Sequence, residues 1–145
     1  MENIKKIEEA IEEFNYNFLE DWLKKGGNID ILLSNNKLTP LQDLLLTAGD
    51  DDEIAPLHRI TDLFLEYNAS INLPNSVDSL QPLFSAVREG YTIIVKKLIE
   101  REAKLNLKDE EGYTPLITAI EIDNSEIVQA IAEQASKETL SISGG

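Results

Sequence analysis

Four successive carboxylates, Asp50, Asp51, Asp52 and Glu53, are the residues of this chain that most invite a chemical reading. Hard cations take oxygen ligands converging from alternating positions around a glycine-forced turn. An unbroken row of four does not reproduce an Asp-x-Asp-x-Asp-Gly loop, so the run reads as a solvated or partner-contacting loop before it reads as a calcium site. The single histidine, His58, stands beside Arg59 and reads as solvated, and there is no cysteine. One imidazole without thiolates excludes the common zinc sets apart from carboxylate-rich ones, and also excludes disulfides and a cysteine nucleophile. Catalysis needs a nucleophile with a base, paired acid and base groups in a cleft, or a metal cluster. The sequence holds no glycine-rich phosphate loop, no Gly-x-Ser-x-Gly elbow and no kinase motif set. The expectation is a protein that is not an enzyme, with no cofactor and no catalytic or metal-binding residue.

The charge balance narrows the partner instead. Acidic residues number 27 against 13 basic ones, for a net charge of −14 over 145 residues. Nucleic acid binding depends on clustered Lys and Arg releasing counterions from phosphates, and no such cluster is present. Anionic membrane surfaces are disfavoured for the same reason. Apolar runs such as Ile31-Leu32-Leu33 and Leu44-Leu45-Leu46 fall far short of the roughly 20 residues that span a bilayer. The first residues, Met1 to Glu9, mix Lys and Glu where a secretory signal carries an apolar core, so a cytoplasmic location is expected unless a signal was removed. Excess acid either keeps a small protein soluble or forms a docking face for a basic partner.

The elements that must carry any such face come from a repeat. Gln81-Pro82-Leu83-Phe84-Ser85-Ala86-Val87 and Ile94-Val95 recur as Thr114-Pro115-Leu116-Ile117-Thr118-Ala119-Ile120 and Ile127-Val128, each landmark 33 residues on. A period of about 33 with a Thr-Pro-Leu start is the ankyrin signature, and the chain resembles the ankyrin-repeat family. The resemblance implies an all-α fold, an ankyrin-repeat solenoid of stacked helix-turn-helix units with short finger loops. It also implies a scaffold that works by binding rather than by chemistry.

One domain is expected over residues 1–145, with repeats at about 4–36, 37–78, 79–111 and 112–135 and a polar tail at 136–145. The first repeat is degenerate: Ile4, Ile7, Ala10, Ile11 and Phe14 form one helix face, and Phe18 with Trp22 is expected to fill the contact with the second repeat. The second opens at Thr39-Pro40-Leu41-Gln42, where threonine can cap, proline can start a helix and glutamine can complete a capping box. Pro40 and Pro82 lie 42 residues apart, 9 more than one period; most of the excess is placed in an inserted loop at 49–56, and one further residue in the finger loop that follows. Asn68 can take the left-handed conformation that glycine usually supplies at the end of this repeat. In the third repeat Glu102 stands there instead, predicting local strain or a different helix termination. The last helix is expected from Ser125 to about Ala135. The family's histidine after Thr-Pro-Leu is absent, with Gln42, Phe84 and Ile117 in its place.

In ankyrin proteins the usual contact surface combines the finger loops with the exposed side of each first helix. Carried over by position, this gives Glu12 and Glu13, Leu46, Arg88 with Glu89, and Glu121 with Ile122. The fingers add Asn35, Asn36 and Leu38, then Val77, Asp78 and Leu80, then Glu110, Glu111 and Tyr113. Asp50, Asp51, Asp52 and Glu53 join them if the inserted loop touches a partner. Leu38, Leu80 and Tyr113 share one equivalent finger position, so apolar anchors ringed by carboxylates are expected to meet a basic protein. A monomer is expected when free. The sharpest version of this reading is a stoichiometric inhibitor, such as a bacterial immunity protein blocking a basic toxin. A regulatory adaptor resembling the ankyrin kinase inhibitors, and a structural or calcium-binding module, are the alternatives.

Overall fold

Short amphipathic segments alternate with polar turns along this chain, and each becomes a helix in the computed structural model, which describes residues 3–34, 37–47 and 51–143. Among the described residues there are eight α-helices and no strand: α1 (Ile4–Glu12), α2 (Tyr16–Lys24), α3 (Pro40–Thr47), α4 (Ile54–Glu66), α5 (Pro82–Glu89), α6 (Thr92–Glu100), α7 (Pro115–Glu121) and α8 (Ser125–Ser143). Three-residue 3-10 turns stand at Asp51–Glu53 and Asp78–Leu80. The chain divides into two compact units, Met1–Ser70 and Ile71–Gly145.

In the first unit, asparagine side chains start α1 and α2. Asn3 accepts from the Lys6 N–H at the head of α1, and Asn15 accepts from the Phe18 N–H at the head of α2. The capping box at Thr39 forms as the residues predict: the Gln42 N–H donates to the threonine hydroxyl oxygen, and the Thr39 N–H donates to Gln42 Oε1 at 3.0 Å. The pair α1–α2 packs on the pair α3–α4, first helix on first helix and second on second. Ile7, Ile11, Leu19, Leu41, Leu44, Leu45, Ile60 and Phe64 are fully buried there. Phe18 and Trp22 are only half-buried. The Trp22 indole lies against Gly27, where an added Cβ would collide with the ring.

The described part of the inserted segment, residues 51–56, is helical rather than loop. The 3-10 turn runs directly into α4, which is 13 residues long where α2 and α6 have 9. Ile54, Ala55 and Pro56 form its first turn, where proline's missing N–H has no intrahelical partner to lose.

The second unit stacks α5–α6 on α7–α8 in the same manner. Thr114 caps α7 by accepting from the Ile117 N–H, and Asn124 caps α8 from Ile127 while donating its amide to the Thr92 hydroxyl. Gln81, in the place of the threonine, is buried and turned the other way. Its side chain accepts from the Leu73 N–H at 2.8 Å and donates to the Leu73 and Ser76 carbonyls, closing the finger that precedes α5. Helix α8 continues to Ser143, past the expected end near Ala135. Nothing between those positions is a glycine or proline stop, and Lys137 and Glu138 are good helix formers.

Turns are tied to turns by side chains at one repeated position. Asp30 accepts from the Ser70 N–H at 2.9 Å and from its hydroxyl at 2.7 Å. Asn72 accepts from the Lys104 N–H at 2.9 Å and donates to the Glu102 carbonyl at 3.1 Å. Glu102 is left-handed, with φ of 68°, so of the two expectations the strained one holds. The Glu102 N–H donates to Ile99 and the Ala103 N–H to Leu98, the bond pair of a Schellman ending.

Leu98 is fully buried between helices, so Leu98→Ala is expected to cost about 2–5 kcal/mol in chemical denaturation. An unchanged midpoint would contradict its place in the core. Glu102→Gly removes a left-handed strain of about 1–3 kcal/mol at the expense of a more flexible unfolded chain. A net gain of about 1 kcal/mol is expected, read as a higher melting temperature.

Candidate partner-binding site

The predicted surface residues divide between the two units. In the first, Glu12 and Glu13 are exposed at the end of α1, and Leu46 is exposed on α3. Asp52 is exposed and Glu53 half-buried, while Asp50 and the side chain of Asp51 lie outside the described residues, as do Asn35 and Asn36. Leu38 is a correction: it is buried, only 6% exposed, and is no surface anchor. The finger folds back on itself, with the Leu33 N–H donating to the Leu38 carbonyl at 2.8 Å and the Lys37 N–H to Leu33, which turns Leu38 inward beside the buried Leu33. Where α2 and α4 begin, Arg59 sits 3.9 Å from the centre of the Tyr16 ring, and the Tyr16 hydroxyl donates to Glu20. Burial, reinforced by the Glu20 carboxylate, raises the Tyr16 pKa above its usual value.

The second unit gathers more of the predicted set. Its last finger is built on Asp109, one of whose carboxylate oxygens accepts from the Glu111 and Tyr113 N–H groups, both at 2.9 Å. The Asp109 N–H donates to the Tyr113 carbonyl, so the turn is closed on both sides. Glu110, Glu111 and Tyr113 therefore stand exposed on a turn of defined geometry. Asp78 is exposed in the preceding finger but also accepts from the Lys108 N–H at 3.0 Å, joining one finger to the next. Leu80 is half-buried, and Val77 beside it is exposed.

Glu89 and Ile122 share an open depression of about 430 Å³ with Asp123, Asn124 and Glu126, between the α5–α6 and α7–α8 turns. Arg88 borders it and also serves the fold internally. Its guanidinium donates to the Ser79 carbonyl at 2.7 Å and lies 5.0 Å from the Phe84 ring centre. Half-burial pulls the Arg88 pKa below its usual value, opposed by Glu89 and Asp109. The one basic side chain of the expected surface thus holds a finger in place, and what remains accessible is acidic and apolar. Ile117 and Ile120, exposed on α7, were not among the expected residues. The 33-residue offset aligns them with Phe84 and Val87, and nothing in the sequence marks one pair as covered and the other as open.

No helix of the described residues is long and apolar enough to cross a membrane. Among the same residues no three His, Cys, Asp or Glu side chains group as a metal site would require. Replacing Asp109 with alanine is expected to leave Glu111 and Tyr113 without their acceptor. Their amide protons should exchange at least about tenfold faster while those of α6 stay protected, the pattern of local rather than global opening.

The matched comparisons agree with the geometry. A family model of ankyrin repeats, three copies, matches residues 57–141. An ankyrin repeat protein of fowlpox virus (strain NVSL), FPV031, is 32% identical over 112 residues, covering 71% of this chain and 32% of the relative. The human palmitoyltransferase ZDHHC13 is 31% identical over 75 residues, 52% of this chain and 12% of its own length. An ankyrin repeat-containing protein of Schizosaccharomyces pombe is 31% identical over 81 residues, 54% and 38% of the two chains. The chain therefore spans well under half the length of each relative. Stacked helix pairs, Thr-Pro caps, left-handed helix ends and the matched segment place the chain in the ankyrin-repeat family.

Proposed function

We propose that this chain is a non-catalytic protein-binding module whose second unit takes a basic protein partner. The observation that carries the reading is the pairing of a hydrogen-bonded finger with unpaired acid: Asp109 fixes the turn, and Glu110 and Glu111 project from it beside the exposed ring of Tyr113. Glu89, Glu121 and Ile122 extend the same combination along the helix ends. Exposed carboxylates steer a cationic partner and set salt dependence, while a few apolar side chains supply the holding energy. The family's scaffold adds no chemistry of its own.

Within this class the chain acts as a stoichiometric inhibitor. An acidic, pre-shaped surface can occlude a site built to hold phosphate, and an immunity-type protein that blocks a basic nuclease is the most specific form of that reading. The exposed carboxylates Glu89, Glu110, Glu111 and Glu121 suit a cationic target.

Affinity capture from native extract at low and moderate salt, with Glu110→Lys/Glu111→Lys/Glu121→Lys in parallel, tests the reading. A basic protein retained by the parent, weakened by salt and lost with the variant is the expected result. The same partners on both would show that the carboxylates only solubilise.

A further inference from the structure

The insertion in the second repeat is not used by the finger surface proposed above. Within the first unit it lengthens α4 at its start, and Ala55 and Pro56 of that first turn stand against the turn between α1 and α2. Between them lies a depression of about 270 Å³ lined by Phe14, Tyr16, Ala55, Pro56, Arg59 and Ile60. Phe14 is left-handed there, with φ of 53°. Arg59 supplies the only charge among the six lining side chains.

Arg59 is held in place but not satisfied. Its guanidinium rests 3.9 Å from the centre of the Tyr16 ring, a cation over an aromatic face. Tyr16 is itself fixed, because its hydroxyl donates to one Glu20 oxygen while Lys24 approaches the other at 3.5 Å. Both oxygens of that carboxylate are therefore engaged elsewhere. The Arg59 N–H groups have no hydrogen-bond or ion-pair partner among the described residues. In a chain with 27 acidic residues, this guanidinium is stacked on a ring and keeps its planar fork of donors for another molecule.

We propose that this pocket takes the C-terminal residue of a partner protein, its apolar side chain among Phe14, Pro56 and Ile60 and its carboxylate on the Arg59 fork. Charge and size choose the occupant. A guanidinium fork matches a carboxylate through two parallel N–H···O bonds, so the rim calls for that anion. A volume of about 270 Å³ falls below the roughly 300–1,000 Å³ of small-molecule sites, and suits one side chain. Only at its C-terminus does a polypeptide carry an apolar side chain and a carboxylate on the same carbon, which sets both groups where pocket and fork adjoin. The inference does not rest on the finger site, whose residues all belong to the second unit.

The test titrates the isotope-labelled chain with the peptide Gly-Ser-Gly-Ser-Leu bearing a free C-terminal carboxylate. The same peptide amidated, and the same peptide ending in glycine, are the controls. Expected are amide shift changes centred on residues 14–16 and the first turn of α4, with at least about tenfold weaker binding of either control. Arg59→Gln should weaken the leucine peptide by a similar factor and keep the parent's circular dichroism, because the side chain is exposed. The peptide comparison is made on the parent and holds whether or not the variant folds. Equal binding of either control, undiminished binding by Arg59→Gln, or no binding of the leucine peptide would overturn the proposal. So would shift changes centred outside residues 14–16 and α4, or the same changes with acetate alone, which would leave only a carboxylate contact.

Discussion

None of the first helices in this chain could stand by itself. α1, α3, α5 and α7 have 9, 8, 8 and 7 residues, and isolated helices shorter than about 12–15 residues are marginal in water. Their order must come from lateral burial. Each carries an apolar stripe too wide for its own second helix to cover, and the neighbouring pair covers the rest. α3 does this for α1, and α7 does it for α5. Stability is then a sum of similar nearest-neighbour contacts, as in other repeat proteins, and a position such as Val87 is worth what its neighbour provides.

Short helices also carry a large burden of unpaired backbone groups, and the helix ends are where this chain answers it. α1, α2, α4, α5, α6 and α7 all stop on a left-handed residue, at Phe14, Gly26, Asn68, Gly90, Glu102 and Asp123. In each case the following N–H groups turn back onto the last helical carbonyls. Glycine, the residue that takes this conformation without strain, occupies two of the six. At Glu102 the turn is also tied down, by Asn72 holding its carbonyl.

Two populations of polar side chain follow from this arrangement. Asp30, Asn72, Asp78, Asp109 and Arg88 spend their hydrogen-bonding capacity on backbone and hold turns in place. Glu89, Glu110, Glu111 and Glu121 remain exposed and carry the charge. Arg88 and Asp109 would look like recognition residues in a list of charged positions, yet their geometry makes them part of the scaffold. The exposed remainder, rather than the total, defines what the surface can attract.

The sequence by itself determined the family, the helix pairs and most of the helix starts. These are local properties: a 33-residue period, a Thr-Pro start, and the Thr39–Gln42 box depend on residues a few positions apart. The left-handed residue at Asn68 was legible for the same reason. Tertiary structure decided the rest. Leu38 turned inward because its finger closes on Leu33. Arg88 was drawn onto a carbonyl nine residues away, and Gln81 became a brace for a loop rather than a helix cap. The inserted segment lengthened α4, whose first turn tolerates Pro56 because the N–H groups there have no intrahelical partner. Exposure at Ile120 and burial at Val87 are opposite outcomes for equivalent residues, because burial belongs to the neighbour that covers a side chain and not to the side chain itself.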